Sequence, residues 1–185
     1  MDISIEDFLR YVEDAGEIAT FDIESTGLKG DYNSVLCVSI KRYGRAPVTG
    51  VVKQPGDDKE LVIWAREELN KLACWISYYG KGFDFPMLNT RLLNHGERPL
   101  LRKPHIDMYF SLRSSLLTGR RSQGHLLNWL GTKEQKMSVG ADVWNRVLAS
   151  PAKELPQMVK RCESDVRGLE CLYKRTKHLI KTANR

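Results

Sequence analysis

Four cysteines, at positions 37, 74, 162 and 171, are too few and too scattered to staple a fold. They form no CxxC pair and no histidine stands at a zinc-ligand interval from them, so neither a disulfide framework nor a zinc ribbon is indicated. Buried, inert thiols are expected instead. Long apolar runs are missing as well, because charge interrupts them every few residues and nothing approaches the roughly 20 apolar residues that span a bilayer. The opening MDISIEDFLRYVEDAG lacks the basic and apolar regions of a secretory leader. The expectation is therefore a soluble, cytoplasmic protein with no membrane partner. No internal repeat, low-complexity tract or linker divides the chain, which leads to one domain over residues 1–185.

What is present is enough apolar material for a core, 42% of 185 residues, under a basic surface of net charge +6 and pI about 9.2. Such a balance permits a polyanionic partner without requiring one. Its distribution is more telling. Between Arg91 and Arg121 seven basic residues (Arg91, Arg98, Arg102, Lys103, Arg113, Arg120, Arg121) face two acids, Glu97 and Asp107. YKRTKHLIKTANR forms a second basic block at the C-terminal end.

Hydrophobic periodicity supplies the elements. Ser4 with Asp7 three residues on, followed by the stripe Phe8, Leu9 and Val12, predicts a capped helix over residues 5–14. EIATFDIES, VLCVSIKRYG and PVTGVVKQ then read as three strands joined by short turns, an antiparallel meander. DDKELVIWAREELNKLA carries Leu61, Trp64, Ala65, Leu69 and Leu72 at helical spacing behind an acidic start. CWISYYG is a fourth strand, FPMLNTRLLNHG a helix ended by Gly96, and PHIDMYF a fifth strand. Helical segments follow at Ser111 to Leu117, GHLLNWLG and ADVWNRVLAS, with a long final helix from about Leu155 to near Ile180. Strands, then strands alternating with helices, then helices describe a mixed α/β layer structure. Trp64, Trp75, Trp129 and Trp144 all fall on apolar faces and are expected in the core.

Against this apolar background the acids stand out. In IATFDIESTGLKG, Asp22 and Glu24 are two apart on a strand and so emerge on the same face. Carboxylates that close repel, and when buried they need a proton or a cation between them. Hard dications such as Mg2+ or Mn2+ suit all-oxygen donors. Asp84, set among aromatics in YYGKGFDFPML, sits between a strand and a helix, where it can also be an N-cap. Asp165, in VKRCESDVRGLECLY, lies beside the stripe Val159, Cys162, Val166, Leu169 and Leu172 and can point into the fold.

Together these four acids resemble the DEDD exonuclease superfamily of the RNase H-like fold. FDIESTGL is similar to that family's first motif, GKGFDFPML to its second and CESDV to its third, and the resemblance runs from about Ile18 to Tyr173. The pattern is similar to that of stand-alone proteins related to the proofreading domain of family B polymerases. The resemblance implies a five-stranded mixed sheet, an antiparallel meander plus parallel strands, flanked by helices. It also implies a 3′-to-5′ exonuclease using two Mg2+ or Mn2+ ions, in which paired ions about 3.5–4 Å apart serve the attacking water and the leaving oxygen. By carry-over Asp22 bridges both ions, Glu24 and Asp165 hold the water-activating ion, and Asp84 helps hold the other. Thr26 and Leu28 line the pocket for the terminal nucleotide.

The pattern departs from the family in one place that matters. The water-orienting Tyr or His, four or five positions before the last Asp, is replaced by Arg161 and Lys160. Arginine cannot act as a base, so Arg161 is expected to contact the scissile phosphate or to pair with a ligand carboxylate. His105 or His125 could supply a base from elsewhere. The usual Asn five residues before the second-motif acid is Tyr79, which with Tyr78 and Phe83 offers aromatic surface for bases; Arg120 and Arg121, with the rest of the basic stretch, can track the phosphate backbone. Asp107 reads as structural or as support for the ligands. Single-stranded DNA is favoured over RNA, with a polymerase or helicase as a possible companion. The rival readings are a binding module that has lost catalysis and a structure-selective endonuclease.

Overall fold

The computed structural model describes residues 3–134, 137 and 141–183. Its centre is a five-stranded sheet in the order β3-β2-β1-β4-β5, built from β1 (Ile18–Ser25), β2 (Val35–Arg42), β3 (Val48–Val51), β4 (Cys74–Ser77) and β5 (His105–Asp107). β1, β2 and β3 pair antiparallel, as the short turns predict, while β4 and β5 add in parallel on the other side of β1. The parallel pairs follow from the helices between strands: α2 (Lys59–Asn70) connects β3 to β4, and α3 (Asp84–Asn94) connects β4 to β5.

β1 is buried along its length except at half-buried Asp22, as a strand covered on both faces is, although half of its residues are polar. Its two faces meet different partners. Phe21 packs towards α2 and α3, edge-on to Trp75 with centroids 6.3 Å apart, in a cluster with Val38, Leu69, Leu88 and Leu92. Each such fully buried side chain contributes about 1.5–3 kcal/mol. Thr20 points the opposite way, its hydroxyl donating to the Val166 carbonyl at 3.0 Å. That carbonyl belongs to α7 (Pro151–Thr176), which runs across β1 and β2 with Pro156 inside it. α7 begins four residues earlier than its apolar stripe suggests, because Pro151 can occupy the first helical turn.

Smaller helices close the edges. α1 (Ile5–Asp14) is capped as expected, Ser4 accepting from the Asp7 N–H at 3.1 Å. α4 (Met108–Arg113) starts where PHIDMYF was expected to remain a strand. Asp107 ends that strand by capping the helix, accepting from the Tyr109 N–H at 3.1 Å. α5 (Gln123–Trp129) docks on α7, and α6 spans Ala141–Arg146. A 3₁₀ turn at Lys177–Leu179 finishes the C-terminal helix. Trp75 is fully buried and Trp64 and Trp144 pack against the core, but Trp129 is exposed. The four cysteines are unpaired thiols, three of them buried. Among the described residues no helix is long and apolar enough to cross a membrane.

One buried polar cluster ties the α2–α3 face together. Asp58, fully buried at the start of α2, accepts from Arg91 Nε (2.9 Å) and Nη2 (2.8 Å), His95 Nε2 (2.7 Å) and the Val35 N–H (2.8 Å). Burial opposes ionisation of this carboxyl, but the donors outweigh it and hold it below the usual carboxylate range. Arg91 also donates to the Gly30 carbonyl at 3.1 Å, anchoring the turn after β1. Arg91 is therefore an internal strut, not part of a solvated basic face.

Candidate active site

Strand alternation and helical pitch bring three of the four acids together. Asp22 and Glu24 leave β1 on the α7 side, and Asp165 faces them from the middle of α7. Each offers a carboxylate oxygen within 4.8 Å of the others. Glu24 and Asp165 are buried, Asp22 half-buried. Cys162, one turn before Val166 on α7, donates its thiol to the Asp22 carbonyl at 3.2 Å and fixes the helix against the strand.

Asp84 stands beside this group rather than within it. It is the first residue of α3, with Phe83 in the N-cap position, so its carboxylate does not cap its own helix. Oδ1 instead accepts the Ile23 N–H at 3.1 Å, on the stretch of β1 between Asp22 and Glu24. Burial, reinforced by Asp107 and Glu24, raises its pKa to about 7, although the backbone donors pull the other way. Gly80 makes this approach possible: a Cβ there would lie 2.4 Å from Ser77 and 3.3 Å from Asp84 Oδ2.

Arg161 lies inside the acidic group. Its Nε donates to Glu24 Oε1 at 2.6 Å, Nη2 lies 4.0 Å from Asp165 Oδ2, and Nη1 donates to the Met137 carbonyl at 3.2 Å. The guanidinium carbon is 5.1 Å from the Trp144 ring centre, within cation–π range. Burial works against its charge, but Glu24 and Asp165 more than compensate and raise its pKa. Of the two roles expected for this residue, pairing with a carboxylate is the one present. Lys160 is exposed.

The neighbouring candidates divide. Thr26 is committed to the turn after β1, accepting from the Ser34 N–H at 3.0 Å and donating to Asn33 Oδ1 at 3.3 Å; Leu28 projects from that turn, 78% exposed. Phe83 packs partly into the core. Tyr79 is half-exposed in a left-handed backbone conformation, φ 63°, which costs a bulky residue of order 1–3 kcal/mol. Asp107 holds it there, accepting the Tyr79 N–H at 2.9 Å and the Lys81 N–H at 3.0 Å. The support expected of Asp107 is thus to the turn that leads into Asp84. The Tyr79 ring packs edge-on to Tyr109 and tilted against Phe110, forming an aromatic shelf with Arg113 over Phe110.

Arg120 and Arg121 are exposed on the loop before α5. Tyr78 donates its hydroxyl to the Arg121 carbonyl, and Gln123 donates to the Asp165 carbonyl at 2.7 Å, so this loop is tethered both to the β4 turn and to the acid-bearing helix. Gln123 carried no signal in the sequence. Of the two histidines, His105 lies away from the acids. His105 is buried between Phe21, Trp75 and Phe85, with Ser77 Oγ 2.7 Å from Nε2, on the side of β1 away from Asp22; burial lowers its pKa to about 3. His125 closes the Ser122 cap of α5 through its backbone N–H.

The donor set fits a hard dication: three carboxylates, all oxygen, two of them removed from water, with a fourth acid alongside. Arg161 is the qualification, because it occupies Glu24.

A mixed sheet with an antiparallel meander, parallel outer strands and acids converging from its central strand and last helix defines an RNase H-like fold. The chain belongs to the RNase_H superfamily, whose family model matches residues 19–177. Its structure superposes on a family B DNA polymerase from the hyperthermophilic archaeon Pyrobaculum calidifontis with a TM-score of 0.70 at 15% identity, over 86% of this chain and 24% of the polymerase. A structure described as the apo form of a nuclease gives a TM-score of 0.60 at 19% identity, over 96% of this chain and 78% of that one. The chain thus spans about a quarter of the polymerase, and at these identities the likeness is one of fold. No curated protein matches the sequence.

Proposed function

We propose that this protein is a metal-dependent 3′-to-5′ exonuclease that hydrolyses phosphodiester bonds at nucleic-acid ends, single-stranded DNA in the first place. The observation that carries the reading is the meeting of Asp22, Glu24 and Asp165 within 4.8 Å, with Asp84 bonded to the strand between the first two. Asp22 would bridge two Mg2+ or Mn2+ ions, Glu24 and Asp165 hold one and Asp84 help to hold the other. Bound there, such ions supply Lewis acidity towards the phosphate and lower the pKa of water.

The protein's own residues do the positioning. The Tyr79 shelf presents a ring to a terminal base, where stacking is worth about 1–3 kcal/mol per base. Leu28 and Phe83 flank the approach, with Thr26 fixing the turn that carries Leu28. Arg120 and Arg121 attract backbone phosphates towards a site that is otherwise anionic, so affinity falls as salt rises. End-labelled and circular single strands, incubated with Mn2+, test the reading. A ladder shortening from the 3′ end, absent in Asp22→Ala, is expected; cutting of circles would instead mean an endonuclease.

The Arg161–Glu24 bond favours one alternative, a nucleic-acid-binding module in which catalysis is lost. Retention of labelled strands in a mobility shift with no cleavage at any Mn2+ concentration would select it.

A further inference from the structure

We propose that a cleft on the sheet face opposite Asp22 and Glu24, between the β4–α3 turn and the segment leading into β5, binds a free mononucleotide, with Lys81, Arg102 and Lys103 on its phosphate and Phe85 against its base. The inference stands apart from the nuclease reading, since it uses none of the acids taken there as metal ligands. The cleft is about 410 Å3, within the range of small-molecule sites, and is lined by those three cations with Trp75, Phe85 and His105. Among the described residues no carboxylate lines it. Trp75 and His105 are paired in register and face the same side as Phe21, whereas Asp22 and Glu24 leave β1 on the other.

The three cations are held ready for an anion. Lys81 is half-buried, and burial lowers its pKa although Asp107 and Cys74 pull it up. Neither its ammonium nor the exposed Arg102 guanidinium makes a hydrogen bond or ion pair among the described residues. A cation kept partly out of water without a partner is a place where a bound anion completes the bonding. Lys103 is preset: its ammonium donates to the Asn70 and Leu72 carbonyls, which fix its position without neutralising it and leave its third proton to donate. Phe85 is half-buried and braced from behind by Trp75 and His105, with ring centres 5.7 Å and 6.1 Å away. A track for a strand repeats cations and rings along its length. Here one part-exposed ring and one group of cations make room for one nucleotide. An acidic peptide would meet the cations and leave the ring unused.

The test titrates the full chain with dAMP in EDTA, which keeps metal-bridged phosphate off the acids, and follows backbone amide shifts by NMR. Saturable shifts at Lys81, Phe85, Arg102 and Lys103 are expected. Lys81→Gln and Arg102→Gln should each weaken dAMP about 10-fold, the lower end for a hydrogen bond to a charged group. Inorganic phosphate, with no base to stack, should bind at least about 5-fold more weakly than dAMP. Equal affinity for dAMP and inorganic phosphate would overturn the nucleotide assignment. Equal weakening by Arg120→Gln would reduce the binding to diffuse attraction by a basic surface and overturn the site. Tighter binding of a single-stranded oligonucleotide or of an oligoaspartate peptide at the same amides would likewise overturn the proposal. Should a variant fail to fold, the wild-type shifts decide alone: dAMP shifts confined to other residues would sink it.

Discussion

Two arginine–carboxylate pairs sit on opposite faces of the same sheet, and they are built differently. Asp58 on the α2–α3 face is fully buried and receives four donors, two of them from Arg91. Glu24 on the α7 face receives one bond from Arg161, which is shared with Asp165 and stands among three acids. The first cluster matches one acid with more than enough donors. The second gathers three acids around one guanidinium. Like charge gathered in this way is the arrangement a cation-binding site calls for, whereas the first cluster matches one acid donor by donor.

That contrast predicts opposite outcomes for similar substitutions. Asp22→Asn removes a ligand candidate and relieves repulsion: nuclease turnover should fall on the order of 10³-fold or more, the several kcal/mol an ion supplies at phosphate, with the melting temperature unchanged or raised. Asp58→Ala leaves Arg91 buried without its partner and should cost about 3–5 kcal/mol in urea unfolding. If Asp22→Asn unfolds the protein and Asp58→Ala does not, the assignment of one cluster to function and the other to stability is reversed.

Smaller effects sharpen the same division. Tyr79→Gly should weaken single-strand binding by roughly 5- to 150-fold, the equivalent of one stacked base, while stabilising the protein by about 1 kcal/mol because glycine accepts the left-handed backbone without strain. Unchanged affinity in a filter-binding titration would remove the shelf from the substrate path. On the structural face, His105 is held neutral, its pKa of about 3 lying below the ordinary 6.5. A depressed histidine favours folding above its unfolded value, so stability is intact above pH 6.5 and falls towards pH 3, by about 1.4 kcal/mol per unit. Denaturant midpoints measured from pH 7 to pH 4 should show a shallower decline for His105→Gln, and an identical decline would show that other groups set the acid limit.

Much of the fold could be read from the chain because local and global signals agree. The Ser4 cap, the meander and the helix between β3 and β4 each follow from periodicity and turn chemistry, and Asp22 and Glu24 share a face because strands repeat every two residues. Asp165 could be placed on an inward face by its apolar neighbours. What was not legible depends on pairing across the sequence. Arg91 looks like one more surface cation until Asp58, 33 residues away, is set against it. Arg161 could be flagged as out of pattern, but its choice of Glu24 over solvent is a tertiary contact 137 residues long. The backbone of Tyr79 gave no hint of its conformation, since no local rule places tyrosine in the left-handed region; two bonds to Asp107 do so. PHIDMYF carried an ambiguous signal, and the same Asp107 resolved it by starting a helix.

The placement of Asp165 has a further consequence for how this molecule fails. α7 is buried at Asp165 and Val166 and again from Gly168 to Glu170, and it is fastened to β1 just before that stretch by Cys162 and within it by the bond of Thr20 to the Val166 carbonyl. Amides in this stretch should exchange with deuterium only through global opening. The Tyr79 turn and the Arg120–Arg121 loop lie outside it and can fray earlier. A partly heated or nicked molecule would accordingly lose its grip on a strand while the acids stay in register, so ageing should erode affinity before chemistry.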